Sequence, residues 1–145
     1  MEQRDRDSWA QQRKRAIAAH AADQQQRSAA EARQAAALIA DFVTAAHEQG
    51  VAAQPLVARP HRGWGHYRTG LHGWYLKSDR SMAVGTDGNL YLLTVPPSLR
   101  ARVTGARLVP AQPRMVIGAG GRDGESIPLA TLLERRLSGA PPQHP

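Results

Sequence analysis

The feature that most constrains the fold of this chain is the absence of glycine and proline from residues 8–49. This run is rich in Ala, Gln, Arg and Glu, all of which favour helix. Ser8 followed by Gln11 fits an N-terminal capping box, and Gly50 fits the residue that ends a helix. We therefore predict an N-terminal helical arm within residues 1–50.

A second capping-box pattern, Ser28 followed by Glu31, lies inside the same run. It allows a break near residues 24–28, which would divide the arm into helices over 9–24 and 29–49. No glycine or proline forces a turn at that point, so we favour one continuous helix with a weak middle.

The two halves of the predicted helix differ in their apolar side chains. The second half has an apolar stripe at three- and four-residue spacing, which indicates packing on a core. The first half offers Trp9 and Ile17 as its large apolar residues, and such a polar helix buries little surface by itself. We predict that Trp9 and Ile17 contact a protein partner or a second copy, with a solvated arm as the alternative. The stripe comprises Ala35, Leu38, Ile39, Phe42, Val43 and Ala46.

The sequence beyond the helix changes to short runs rich in β-branched and aromatic residues, which are typical of strands. Residues 51–62 contain proline and are predicted to form a connector. Asp87-Gly88 predicts a two-residue type I′ hairpin that places Val84 opposite Tyr91. The predicted antiparallel meander has strands over residues 64–69, 71–77, 82–86 and 90–95.

The last part of the chain predicts a helical turn, two more short strands and a final helix. Pro96-Pro97 ends the fourth strand, because proline cannot donate to a ladder. Leucines at helical spacing predict a helix over residues 127–137. The fold class is therefore α+β with an antiparallel sheet, in a domain over residues 63–138 that precedes a disordered tail, 139–145. The helical turn covers residues 98–102, and the two strands cover 106–109 and 115–117.

The net charge of +7 is confined to the second part of the chain. The first fifty residues carry seven basic and seven acidic groups, so the whole excess lies in residues 51–145. Charge asymmetry of this kind indicates an anionic partner. Compositional drift in an arginine-rich chain is the alternative explanation.

Residues 59–77 combine basic and aromatic side chains without any acidic residue. If residues 64–69 form a strand, Trp64, His66 and Arg68 share one of its faces. Aromatic faces beside cations bind single-stranded nucleic acid, which makes nucleic-acid binding a second hypothesis for function. The alternative is that these are ordinary strand residues. The predicted anion-binding residues are Arg59, Arg62, Trp64, His66, Arg68, Arg100 and Arg102.

A glycine-rich loop over residues 118–124 gives a third hypothesis, a small enzyme or a phosphate-binding protein. Backbone amides of a loop before a helix can hold phosphate. The loop lacks the Lys-Ser/Thr pair of a P-loop and the G-x-G-x-x-G spacing, so a structural loop is the favoured interpretation. The predicted cradle comprises Gly118, Gly120, Gly121 and Arg122.

The sequence predicts no catalytic residue, metal site or cofactor. Its serines lack a nucleophile-elbow context, and His61, His66 and His72 match no standard zinc spacing. The absence of cysteine excludes disulfides and thiolate metal sites. No apolar run reaches the ~18 residues of a membrane span, and no apolar leader follows the first residues. We predict a non-enzymatic cytoplasmic interaction module without a membrane partner.

Overall fold

The structure, a computed structural model, describes residues 2–118 and 126–139. Its first element is a single helix, α1 (Glu2–Glu48), which continues without a break through residues 24–28. The prediction of one long helix is therefore confirmed. The predicted start at Ser8 is wrong, because acidic side chains in the first turn already stabilise a start six residues earlier.

Helix α1 ends where the sequence predicts. The Val51 N–H donates to the carbonyl of Ala46 at 2.9 Å, and the Gly50 N–H donates to the carbonyl of His47 at 3.3 Å. These two bonds satisfy carbonyls that would otherwise lack an intrahelical partner. The chain then turns directly into the sheet.

The central sheet has five strands in the order β4-β3-β2-β1-β5. Strands β1 to β4 are antiparallel neighbours, whereas β5 pairs with β1 in parallel, so the sheet is mixed. The fold class is α+β as predicted, but a purely antiparallel sheet is not observed. The strands are β1 (Gln54–Pro60), β2 (Tyr67–Tyr75), β3 (Met82–Gly85), β4 (Leu90–Leu92) and β5 (Thr94–Val95).

One chain segment, residues 90–95, lies at both edges of this sheet. Strands β4 and β5 are separated by Leu93 alone, yet β4 pairs with β3 and β5 pairs with β1. The Leu93 N–H donates to the carbonyl of Ser81, and the Leu93 carbonyl accepts from the Arg59 N–H, each at 2.8 Å. The sheet therefore twists and curls until its two edges meet at this segment.

The curled sheet separates two apolar clusters. Alternate residues of β2 point to opposite sides, so Trp74 enters one cluster and Tyr75 the other, while Leu76, just after the strand, joins the cluster of Trp74. The larger cluster lies under α1 and the C-terminal helix α3 (Leu129–Leu137). The smaller cluster comprises Leu56, Tyr75, Ala83, Tyr91 and Leu93.

Three short elements complete the described chain. Helix α2 (Leu99–Thr104) follows the sheet and confirms the predicted helical turn. A two-stranded sheet of β6 (Val116–Ile117) and β7 (Ile127–Pro128) precedes α3. The final helix therefore begins at Leu129, two residues later than predicted, because Ile127 and Pro128 form a strand.

Backbone pairing differs from the prediction in two segments, the connector over 51–62 and the strand over 106–109. The proposed connector over 51–62 contains β1, whose Pro55 and Pro60 lie near its two ends, where a missing N–H is tolerated. The predicted strand over residues 106–109 is not formed. The Ala106 N–H instead makes a single bond to the carbonyl of Arg68, at 2.7 Å.

The two predicted strands on either side of Gly70 are one strand, β2, with a bulge. Residues 69–71 lie opposite a single residue of β1, Leu56. Side chains satisfy the backbone there: Thr69 donates its hydroxyl to the Leu56 carbonyl at 2.6 Å, and the Val57 N–H donates to the Tyr75 hydroxyl at 2.9 Å. Gly70 marks a bulge of this kind, which bends a strand without ending it.

The hairpin between β3 and β4 has a three-residue turn instead of the predicted two. The Gly85 N–H donates to the Asn89 carbonyl and the Gly88 N–H to the Gly85 carbonyl, each at 2.9 Å. Val84 consequently pairs with Leu90, one residue away from the predicted register. A type I′ turn needs a positive φ at Asp87, and Arg80 alone among the described non-glycine residues has one.

Gly73→Ala is expected to destabilise the fold by about 3 kcal/mol or more, because β2 and β3 approach too closely there for any side chain. A Cβ at residue 73 would lie 2.0 Å from the Val84 carbonyl oxygen. Chemical denaturation followed by tryptophan fluorescence measures the loss. The control is His72→Ala, an exposed neighbour on the same strand, which should change stability by less than about 0.5 kcal/mol. Equal stability of the two variants would contradict the close approach.

Asp87→Asn is expected to flatten the acid dependence of stability. Burial raises the pKa of Asp87, but hydrogen bonds from the Tyr91 hydroxyl and the Asn89 N–H outweigh it and hold the pKa below its ordinary value. A carboxyl with a lowered folded-state pKa stabilises above its unfolded pKa of about 3.9, and that contribution disappears as pH falls through the folded value.

Denaturant midpoints measured between about pH 6 and pH 2 test this expectation. The wild type should lose more stability on acidification than Asp87→Asn, whereas Asp41→Asn, which changes an exposed carboxyl on α1, should follow the wild type. A profile for Asp87→Asn that parallels the wild type would contradict it.

Candidate functional site

The first half of α1 projects away from the domain. Every residue from 2 to 27, here called the projecting segment, is exposed to solvent, whereas burial in α1 begins in its second half. At 1.5 Å per residue this segment is about 40 Å long. Trp9 and Ile17 are 69% and 63% exposed, so the two predicted interface residues are available for contact.

The boundary between the projecting and packed parts of α1 is fixed by two side chains. The Ser28 hydroxyl accepts from the Gln112 amide at 3.1 Å, and the Glu31 carboxylate accepts from the Met115 N–H at 3.1 Å. The pattern that suggested a second capping box therefore holds the segment over residues 112–115 against the helix. Sequence spacing alone does not distinguish these two uses.

Trp9 and Ile17 lie in a shallow depression on one side of the projecting segment. The depression has a volume of about 540 Å³, and its side chains come from a single helix. Such a surface is open on every other side, which suits it to a partner protein better than to an enclosed small molecule. Its charges are three cationic and one anionic. Its lining comprises Asp5, Arg6, Trp9, Ala10, Arg13, Lys14 and Ile17.

Helix α2 is attached to β2 at both of its ends. Before the helix, the Ser98 N–H donates to the hydroxyl of the buried Tyr67 at 3.0 Å, and the Ser98 hydroxyl caps α2 by accepting from the Ala101 N–H at 3.2 Å. After the helix, the Ala106 N–H bonds to Arg68. None of the residues of α2 is buried, so its side chains are displayed on a fixed support.

Arg102 of α2 contacts Trp64, the aromatic residue singled out in the sequence. Its guanidinium lies over the indole ring, 5.7 Å from the ring centroid, and donates to the Trp64 carbonyl at 3.3 Å. Trp64 is 83% exposed and lies between Gly63 and Gly65, which both have positive φ. The loop therefore carries the indole outward, and Arg102 orients it.

Arg68 joins the same surface from β2, since its guanidinium donates to the Val103 carbonyl at 3.5 Å. Val103 and Leu99 lie four residues apart on α2 and are 76% and 79% exposed. Sequence reasoning missed these two, although exposed apolar residues four apart on a short helix are neighbours. We call this group the Trp64 surface; it comprises Trp64, Arg68, Leu99, Arg102 and Val103.

The remaining predicted anion-binding residues do not share these contacts. Because β2 begins at Tyr67, Trp64 and His66 lie outside the strand, and the predicted shared strand face does not exist. Arg62 and His66 are exposed in the loop. Arg100 is exposed on α2, on nearly the opposite side of the helix from Arg102.

Arg59 is engaged elsewhere. Its guanidinium donates to the backbone carbonyl of Asp79. Burial raises the pKa of the Asp79 carboxyl, but hydrogen bonds from Ser81, together with the charges of Lys77 and Arg59, hold that pKa below its ordinary value. Arg59 thus faces a carboxylate, which reduces its attraction for another anion.

The structure describes only part of the predicted phosphate cradle, and it places the histidines considered as metal ligands. Of the proposed phosphate cradle, Gly118 is the last residue of the first described range, while Gly120, Gly121 and Arg122 lie outside the described residues. Within residues 2–118 and 126–139, no group of three or more His, Asp or Glu side chains is placed to hold a metal ion. His66 lies in the loop before β2, and His72 lies on β2.

Comparison with known protein families, with curated proteins and with solved structures finds no significant match to this chain. Among the helices of the described ranges, none combines the length and the apolar character needed to cross a membrane.

Arg102→Ala is expected to loosen the Trp64 loop without unfolding the domain. A cation–π contact at an exposed site contributes about 0.5–1 kcal/mol, so amides of residues 61–66 should exchange with deuterium about two- to fivefold faster. The control is Arg100→Ala, which removes an exposed arginine from the same helix without removing the Trp64 contact. Equal exchange in both variants would show that Arg102 does not hold the loop.

Proposed function

We propose that this protein is a non-enzymatic cytoplasmic interaction module whose projecting segment binds a partner protein. The observation that carries the proposal is the exposure of Trp9 and Ile17 on a helix that is otherwise solvated on all sides. Removing large apolar side chains from water against a partner lowers the free energy of the complex. Tryptophan is enriched among the residues that dominate binding energy.

The projecting segment is already helical before it meets a partner. Nucleation is the costly step of helix formation, and the packed half of α1 supplies it. Ala, Gln and Arg, which are frequent in the projecting segment, then favour propagation. A helix ordered in advance loses less conformational entropy on binding than a disordered peptide.

The partner that this surface fits best is a protein with an apolar groove and an acidic rim. Arg6, Arg13 and Lys14 surround Trp9 and Ile17, against one acidic residue, Asp5. A helix of this kind inserts its apolar residues into a groove while its cations meet carboxylates at the edge.

A second copy of the chain fits the same surface less well. Arg13 lies between Trp9 and Ile17 at four-residue spacing, so it would face its own copy in a parallel, in-register pair, and like charges at such positions repel. The segment also lacks the continuous apolar seam of a coiled coil, since Trp9 and Ile17 are its two large apolar residues. We therefore favour a different protein as the partner.

The double variant Trp9→Ala/Ile17→Ala is expected to weaken partner binding by more than about 30-fold, the equivalent of about 2 kcal/mol for one interface hot spot. Alanine has a higher helix propensity than either residue, so the helix itself should persist. The matched control is Gln12→Ala/Gln25→Ala, which changes two exposed polar residues of the same segment.

Affinity capture from source cells with the three forms, quantified by mass spectrometry, identifies the partner. A partner must be depleted by the apolar double variant and retained by the control, and calorimetry with the purified pair then measures the loss. Sedimentation velocity of the protein alone tests the second-copy alternative. A dimer that the apolar variant dissociates, or the absence of any differentially captured protein, would contradict the proposal.

A further inference from the structure

We infer that the Trp64 surface binds single-stranded nucleic acid, independently of the projecting segment. The surface combines one exposed indole, two arginines and two exposed apolar residues of α2, which tertiary hydrogen bonds bring together from β2, α2 and the loop before β2. Two of its members, Trp64 and Arg102, are 38 residues apart in sequence.

The indole of Trp64 provides a stacking platform. Arg102 lies over its ring, and the side chain is nevertheless 83% exposed, so ring surface remains open to solvent. An unpaired base can stack on an exposed indole, and such stacking tolerates any base because every base has a π-face. A guanidinium held against the indole also adds a cation beside the stacked base.

The charge around this platform favours a phosphate backbone. Residues 60–68 contain two basic and no acidic residues, and residues 98–107 contain three basic and no acidic residues. Arg68 and Arg102 hold their positions through bonds to backbone carbonyls of Val103 and Trp64. These carbonyl acceptors carry no net charge, so the two bonds do not neutralise the guanidinium charges that attract phosphate.

The geometry favours a single strand over a duplex. Helix α2 has six residues and is attached along β2, so it does not project as a recognition helix into a major groove. A duplex also keeps its bases stacked within the helix, where the Trp64 ring cannot reach a base face. A single strand offers both an unstacked base and a backbone that can follow the arginines.

Fluorescence anisotropy with a labelled oligothymidylate of about twenty nucleotides and a duplex of equal length tests the inference. The single strand should bind more tightly than the duplex. Trp64→Ala should weaken single-strand binding about fivefold to 150-fold, the range expected for one stacked base. Arg102→Ala should weaken binding and reduce the slope of log K against log salt concentration by about 0.7, the value for one lost phosphate contact.

Trp9→Ala is the matched control, because it removes another exposed tryptophan, on the projecting segment. It should leave oligonucleotide affinity unchanged, and thermal unfolding should confirm that all variants keep the fold. Polyglutamate serves as a competitor that supplies charge without bases.

Three results would each overturn the inference. One is no binding at tens of micromolar protein in low salt, another is equal affinity of the wild type and Trp64→Ala, and the third is polyglutamate binding as tightly as the oligonucleotide. Each outcome leaves the proposal for the projecting segment unaffected, since that proposal is tested with Trp9 and Ile17.

Discussion

The rest of this structure depends on the burial of Trp74 between the end of α1 and the central sheet. Its indole is fully buried in the central strand β2, with the rings of Phe42 and His47 approaching at centroid distances of 5.5 Å and 5.6 Å. Its N–H donates to the Val51 carbonyl at 3.0 Å, just after α1 ends. One side chain therefore holds the end of the helix, the segment that leaves it and the sheet, and it fixes the direction in which α1 leaves the domain.

This arrangement divides α1 into two parts with different physical roles. The packed half gains its stability from the core, while the projecting half is helical because it continues a helix that is already nucleated. The Trp64 surface is supported differently, by hydrogen bonds that attach α2 to β2 at Ser98 and Ala106. Both surfaces are thus displayed on ordered backbone, and neither requires apolar burial of its own to keep its shape.

The features that the sequence predicts correctly are those set by neighbouring residues. The periodic stripe ending at Ala46 and the glycine stop identify α1, and runs rich in β-branched and aromatic residues identify most strands. The errors arise where distant pairing decides the outcome: the bulge at Gly70 looks like a strand break, and the parallel pairing of β5 follows from the curl of the whole sheet. For the site, the sequence shows which aromatic and basic residues are present. The contact between Trp64 and Arg102 depends on how α2 packs on β2.

The meeting of both sheet edges at residues 90–95 has a consequence for how the domain opens. An ordinary sheet frays from a free edge, because the outer strand can leave while the inner ladders remain intact. Here the same six residues carry ladders to β3 and to β1, so their release breaks hydrogen bonds at both places at once. We therefore expect the amides of β1, β3 and β4 to become accessible to solvent together, as one cooperative unit of local unfolding, and not one strand at a time.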